Sequence, residues 1–278
     1  MRTTPHHYWR LSLVGLLVIA AAGCGSHVSY PKARLAESMQ AVLQEEGLVT
    51  SVHMTEHTLA IHVESPTALS QMGGQVGIGP GFDEATRKVI GAIHRVLLSS
   101  DADVRFYVVL LSDPTVPGAY LTLVRYMDDI RRANAQMLDT PEIFARTVLE
   151  LNFLGTTPMT IDQYVPRDIQ LEDFLSWQLA RRIQTTLTEE LQATGVAYVG
   201  RCGGRFERGE FAFTLDVGSP AEHPLDEETI KEIFRTASSV IAKVLSSYKF
   251  DRFEGVRLFH PATGRSLLLP KTRLEIFR

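Results

Sequence analysis

The chain has 278 residues, 45% of them hydrophobic, and a formal net charge of −4, which suits one large domain or two small ones. A mildly acidic sequence without a Lys/Arg cluster lacks the electrostatic footprint of nucleic-acid binding, so that class of partner is excluded. Two cysteines, Cys24 and Cys202, are too few for a disulfide-built scaffold, and the fold has to rest on an apolar core.

Residues 1–23 form a polar start with Arg2, His6, His7 and Arg10, an apolar run from Leu11 to Ile19, and the small residues Ala20-Ala21-Ala22-Gly23. That is the tripartite pattern of a secretory signal. The apolar stretch is shorter than the ~20 residues a membrane-crossing helix needs, so a cleaved signal is predicted rather than a permanent span. Ala21-Ala22-Gly23-Cys24 resembles the lipobox of bacterial lipoproteins, with Ala21 where Leu is usual. The resemblance covers about a tenth of the chain and leaves the folded part unassigned. It implies cleavage before Cys24, a covalent diacylglycerol and N-acyl chain (palmitate among them) on Cys24, and attachment to the cell envelope. Gly25, where an inner-membrane lipoprotein tends to carry Asp, implies the outer membrane facing the periplasm. Processing would leave 255 residues and remove Arg2 and Arg10, moving the formal charge from −4 to −6.

A polar tether, residues 24–31, leads into the folded part, and roughly ten residues of free chain would reach at most ~35 Å. Leu35, Met39, Val42 and Leu43 have helical spacing, with Gly47 as C-cap. Val52 and Met54, then Leu59, Ile61 and Val63, alternate with polar residues around a turn at Glu56 and His57. This predicts a hairpin pairing Met54 with Leu59 and Val52 with Ile61. Ser65 to Gly81, with five glycines and two prolines, reads as a loop, and Asp83 as the N-cap of a helix bearing Val89, Ile90, Ile93, Val96 and Leu97. Strands follow at Val104 to Leu111 and Tyr120 to Tyr126. Residues 128–136 read as helical, and Thr140-Pro141-Glu142 opens another helix with Thr140 as N-cap.

Residues 152–170 read as a linker. Beyond it Leu171, Leu175, Leu179, Ile183, Leu187 and Leu191 mark a long helix ending at Gly195. A strand at Val196 to Gly200, an alternating strand with Phe211, Phe213, Leu215 and Val217, and a helix from Asp226 to Ser247 come next. Strands at Gly255 to His260 and Ser266 to Leu269 and an extended piece to Phe277 close the chain.

Both halves read helix, strand, strand, helix, strand, strand. Phe82-Asp83-Glu84 and Leu225-Asp226-Glu227 open the second helices, while Leu98-Ser99-Ser100 and Leu245-Ser246-Ser247 end them. The predicted fold class is α+β: an internally duplicated unit at residues 32–151 and 171–278, each a mainly antiparallel four-stranded sheet with helices on one face.

Few residues outside Cys24 carry a chemical signal. His53, His57 and His62 are candidate zinc or copper ligands, because His53 and His62 share the hairpin face opposite the apolar row with His57 at its turn; their spacing matches no metal motif, and a solvated strand face accounts for the same residues. Gly73 to Gly81 lacks the Lys-Ser/Thr of a phosphate-binding loop, and Asp83 and Glu84 would repel an anion there. Tyr126-Met127-Asp128-Asp129 reproduces a reverse-transcriptase tetrapeptide, yet an exported acidic chain offers no template channel, and two aspartates suit a helix start. Cys202, between Arg201 and Arg205, is a candidate reactive thiol if those cations lower its pKa.

Gly-x-Ser-x-Gly, His-Glu-x-x-His, calcium-loop and dinucleotide patterns are absent from the sequence, and no catalytic residue or cofactor is assigned. The expectation is an envelope lipoprotein with a non-catalytic binding or structural role toward an envelope protein or other component. A periplasmic hydrolase with dispersed catalytic residues and a metal-binding lipoprotein using the hairpin histidines remain as alternatives.

Overall fold

The computed structural model describes residues 30–153, 161, 165, 167–195, 197–219 and 225–277. The signal, the lipobox and Cys24 lie outside the described residues. Tyr30 bridges to Ser100, and the Lys32 N–H donates to Asp101 (2.6 Å).

Helix α1 (Leu35–Glu45) buries Leu35, Met39, Val42 and Leu43. It stops where Gly47 turns left-handed (φ +76°), its N–H donating to Gln44 O and that of Leu48 to Leu43 O, which satisfies two terminal carbonyls. Strands β1 (Val49–Met54) and β2 (Thr58–Glu64) then pair in the predicted register, Met54 opposite Leu59 and Val52 opposite Ile61.

The glycine-rich segment is not a plain loop. It folds into a hairpin, β3 (Leu69–Met72) and β4 (Gln75–Ile78), turning on Gly73 (φ +58°) and Gly74 (φ +82°). Two successive left-handed residues are what a two-residue hairpin turn needs, and glycine adopts them without steric cost. At Gly79 a Cβ would sit 2.3 Å from the Thr67 carbonyl oxygen, so this glycine serves close packing. Buried Asp113 fixes the segment by accepting from the Leu69 N–H (3.1 Å) and from Thr115. Helix α2 (Phe82–Leu97) follows with Gly81, not Asp83, at the N-cap; Asp83 and Glu84 lie in the first turn, where they complement the helix dipole.

Strands β5 (Phe106–Ser112) and β6 (Ala119–Tyr126) lead into helices α3 (Met127–Asn134) and α4 (Thr140–Arg146). The α4 N-cap is Asp139, whose carboxylate accepts from the Glu142 N–H (2.9 Å), one residue before the predicted Thr140. Strand β7 (Val148–Phe153) follows and pairs with β6, so the first sheet has five strands in the order β1-β2-β5-β6-β7 rather than four. The predicted linker accordingly begins inside this edge strand.

The second unit comprises α5 (Leu171–Thr194), β8 (Tyr198–Glu207), β9 (Glu210–Gly218), α6 (Glu227–Ser247), β10 (Gly255–His260), β11 (Arg265–Pro270) and the short α7 (Lys271–Leu274). Its sheet runs β8-β9-β10-β11. Helix α6 connects the parallel pair β9/β10 as α2 connects β2/β5, and the other strand pairs in both sheets are antiparallel. The two halves thus share one topology, and the molecule is α+β with helices packed on its sheets.

Two details depart from the predicted strands. β8 continues to Glu207, so Arg201 to Arg205 lies inside a strand rather than at its end. The final extended piece is instead helical, because after Pro270 the chain turns to bury Leu274 in the second core.

The helix-facing sides of the sheets bury separate cores, one with Leu59, Ile61, Tyr107, Val109 and Leu121, the other with Phe211, Phe213, Leu215, Val256 and Leu258. A third cluster joins the units: Ala60, Phe106, Val108, Leu110, Val124 and Val148, on the opposite or back face of the first sheet, pack against Val165 and Phe174. Beside this seam Arg146 Nη1 donates to Asp129 Oδ1 (2.7 Å) and Tyr248 Oη to Asp129 Oδ2 (2.7 Å). Gln178 donates to Tyr248 Oη (2.9 Å) and to the Arg146 carbonyl (2.7 Å).

Candidate functional site

Strand registers place a row of residues from each strand on the back face of the first sheet. One rung runs Ser51, His62, Leu110, Thr122, Glu150; the next runs Val49, Glu64, Ser112, Tyr120, Asn152. Toward the seam the rungs are apolar, through Ala60, Val108, Val124 and Val148, and away from it they become polar. The hairpin histidines identified from sequence lie on this same face.

A cleft of about 340 Å³ occupies the β5-β6-β7 side of the face, floored by Val108, Leu110, Val124 and Val148. Tyr120, Thr122, Glu150 and Asn152 line its polar end, and Asp173 and Trp177 from α5, with Arg167 and Asp168, form its wall. Trp177 leaves 37% of its surface exposed, while its neighbours Ser176 and Gln178 are buried. Asn152 Nδ2 donates to Thr122 Oγ1 (3.1 Å) and to the Glu150 carbonyl (3.3 Å), which holds the amide in place. Arg201 of β8 lies 3.8 Å from Glu150.

Asp168 also borders a second, more polar cleft of about 580 Å³, which gathers Glu56, His57, Asp103, Arg105, Asp128, Arg131, Glu172 and Arg252. His57 Nδ1 lies 3.0 Å from the Asp103 carbonyl and 3.3 Å from its carboxylate, with Glu56 at 3.7 Å from Nε2. Asp168 accepts from the His57 N–H (2.7 Å) and from Thr55 Oγ1, and the Ile169 N–H donates to Thr58 Oγ1 (3.0 Å), which ties the connecting segment to the hairpin tip. Burial pushes the Asp168 pKa up, but the hydrogen bonds from Thr55 and His57 outweigh it and hold the carboxyl below its usual range. Arg252 pairs with Glu172 (3.0 Å) and Arg105 with Asp103 (3.5 Å).

The three histidines do not form one site. His53 pairs with Ala60 across the hairpin, His62 Nε2 meets Ser112 Oγ (2.8 Å), and His57 turns to Asp103. Burial lowers the His62 pKa against the pull of Glu64. Among the described residues no group of three or more His, Cys, Asp or Glu side chains is arranged to hold a metal ion. Of the aspartate pair, Asp129 is consumed by Arg146 and Tyr248, and Asp128 reaches the rim of the charged cleft.

Cys202 is buried in the second core, and burial pushes its thiol up to about 11, away from the reactive thiolate. Arg201 and Arg205 are exposed, and Arg205 pairs with Glu207 (3.2 Å). Gly204 in the same stretch is needed for packing: a Cβ there would sit 2.4 Å from the Ser176 carbonyl oxygen, so its absence lets α5 press onto β8.

Trp177, Tyr120, Asn152 and Asp173 carried no motif. The alternation of Val148, Glu150 and Asn152 with Leu149, Leu151 and Phe153 was the signal for β7; the arrival of Trp177 from the other unit had none. Comparison with protein-family models, curated proteins and solved structures returns no match to this chain.

Proposed function

We propose that the chain is a lipid-anchored protein of the bacterial envelope, held by acyl chains on Cys24 at the outer membrane and facing the periplasm, that binds an envelope component without transforming it. The observation that carries the binding role is the cleft on the back face of the first sheet, where a half-open tryptophan faces a polar strand end. Clefts that pair an apolar surface with a few placed polar groups are the usual form of small-molecule sites. The mutual pairing of charges in the neighbouring cleft, with Asp168 held ionised by the Thr55 hydroxyl and the His57 N–H at the hairpin tip, suits a fixed wall better than a proton-transfer group.

The anchor rests on the signal and on Ala21-Ala22-Gly23-Cys24. No helix among the described residues is long and apolar enough to cross a membrane. Because the fold captures the chain at Tyr30, the six steps from Cys24 span at most ~20 Å. On this reading the first unit sits against the bilayer. Labelled palmitate is expected to enter the wild-type chain in cells and to be lost entirely from Cys24→Ala; equal labelling of the two would refute the anchor.

A second reading, a hydrolase, is favoured by His57 beside Asp103 in the charged cleft, the arrangement in which a carboxylate orients an imidazole base. On that reading the purified chain hydrolyses an ester, amide or glycoside from a chromogenic panel and His57→Ala slows it at least roughly a hundredfold. Turnover unaffected by His57→Ala would remove His57 from the chemistry.

A further inference from the structure

We propose that the cleft between Trp177 and Tyr120 binds a neutral saccharide; this deepens the binding role above and rests on it. The cleft has two kinds of surface in close succession. Trp177 offers a partly exposed indole and Tyr120 a phenol, while Thr122, Glu150, Asn152 and Asp173 offer hydroxyl, amide and carboxylate groups beside them. A pyranose ring has the matching pair of surfaces: axial C–H groups that make an apolar face for an aromatic ring, and equatorial hydroxyls that each donate and accept. Its volume of about 340 Å³ lies at the small end of the range for ligand sites, room for roughly two such rings.

Charge decides against the other ligand classes. A phosphate or sulfate would meet the three carboxylates of Glu150, Asp168 and Asp173, which outnumber the guanidinium groups of Arg167 and Arg201. A cation would find Glu150 already beside Arg201 and Asp168 already saturated by donors from the hairpin, leaving Asp173. Hydroxyl groups need acceptors rather than free charge, and carboxylates accept them in strong, short bonds. Asn152, with its Nδ2 committed to Thr122 and the Glu150 carbonyl, presents its Oδ1 as a fixed acceptor, so the site is organised before a ligand arrives.

The full-length chain carrying Trp9→Phe has Trp177 as its only tryptophan, so its fluorescence reports on this cleft alone. Titration with N,N′-diacetylchitobiose, cellobiose and maltose is expected to give a saturable change with at least one of them. Asn152→Ala and, separately, Asp173→Asn are expected to weaken that response roughly tenfold with unchanged far-ultraviolet circular dichroism. No saturable change with any of the three disaccharides, or a response to inorganic phosphate or spermidine in their place, overturns the proposal. A chain that is labelled with palmitate yet ignores all three sugars loses the saccharide assignment and keeps the anchored reading. Saturable binding accompanied by release of reducing ends keeps the assignment and sinks the non-catalytic role.

Discussion

Asp129→Ala is expected to lower the free energy of unfolding by about 3 kcal/mol, because it strips the buried one of two counter-ions from a buried guanidinium. Arg146 is 4% exposed and meets Asp129 at 2.7 Å. It also lies 4.3 Å from the Tyr248 ring centroid, so that the cation both bonds a carboxylate and rests on an aromatic face. Glu142 keeps its bond to Arg146 Nε (2.7 Å) in the variant, which places the loss at the lower end of the range for broken buried pairs. Tyr248, whose hydroxyl is kept protonated by burial and by the Asp129 carboxylate, loses its acceptor at the same time. Asp129→Asn retains an acceptor for Tyr248 and is expected to cost less than Asp129→Ala. Asp129→Leu combined with Arg146→Met removes both charges and is expected to recover at least half of the loss, since an apolar pair leaves no buried charge uncompensated. Urea unfolding of the four chains measures each term; an Asp129→Ala midpoint equal to wild type would show that the pair does not hold the seam.

The consequence reaches the cleft. Gln178 donates both to Tyr248 Oη and to the Arg146 carbonyl, and Trp177 is the next residue on α5. The seam network thus anchors the turn of α5 that carries Trp177. Loosening it is expected to shift Trp177 toward solvent without touching a residue of the cleft floor.

What the sequence made legible follows from local periodicity. The β1/β2 register could be read because one face of the hairpin is buried, and a slip of one residue would turn Leu59, Ile61 and Val63 outward. The same alternation put His53 and His62 on the face that carries the cleft. The common topology of the two halves was legible from the order of periods, and the local repeats at Phe82 and Leu225 fall where α2 and α6 begin. Composition alone makes Gly73-Gly74 a loop, whereas its position between Leu69, Gln71 and Val76, Ile78 marks a turn.

The site itself was hidden because it is assembled across sequence distance. Leu171 to Leu191 reads as a single apolar stripe facing one core, and Leu175, Leu179, Ile183 and Leu187 do face the second. Phe174, one position off that stripe, packs instead on the back face of the first sheet, against Phe106 at 5.4 Å between ring centroids. A helix of 24 residues thus serves two cores, and nothing local in Phe174 or Trp177 distinguishes a second packing surface from solvent. Asn152 falls in the predicted linker and Glu150 in no predicted strand, because β7 is a short edge strand: the alternation from Val148 to Phe153 fits it, but its pairing with β6 decides its structure.

Acid is expected to destabilise the fold between pH 6.5 and 4, by up to about 3 kcal/mol, through a histidine that no motif marked. His94 on α2 places Nε2 3.2 Å from Tyr107 Oη, and Arg125 Nη1 donates to the same hydroxyl (3.4 Å) on the buried helix side of the first sheet. Burial, followed by the Arg125 charge, lowers the His94 pKa from 6.5 to about 4. Burial pushes Tyr107 up to about 12 despite the opposing pull of Arg125, so the hydroxyl stays protonated throughout. In the unfolded chain His94 takes up its proton below pH 6.5, whereas the folded chain refuses it until about pH 4. The unfolded state therefore binds more protons across that window, and stability falls as the pH falls, levelling off once both forms are protonated. His62, also lowered, adds in the same direction. Carboxylates with lowered pKa such as Asp113 and Asp168 lose their contribution only as the pH drops through their ordinary value of 3.8 and below, so the upper part of the window belongs to the histidines. His94→Gln keeps a hydrogen-bonding group beside Tyr107 but cannot titrate. Its unfolding free energy, measured by urea denaturation from pH 7 to 4, is expected to run flatter than wild type by most of this amount; parallel curves for the two chains would mean that His94 accepts its proton in the fold, with Arg125 and the Tyr107 hydroxyl rearranging around it.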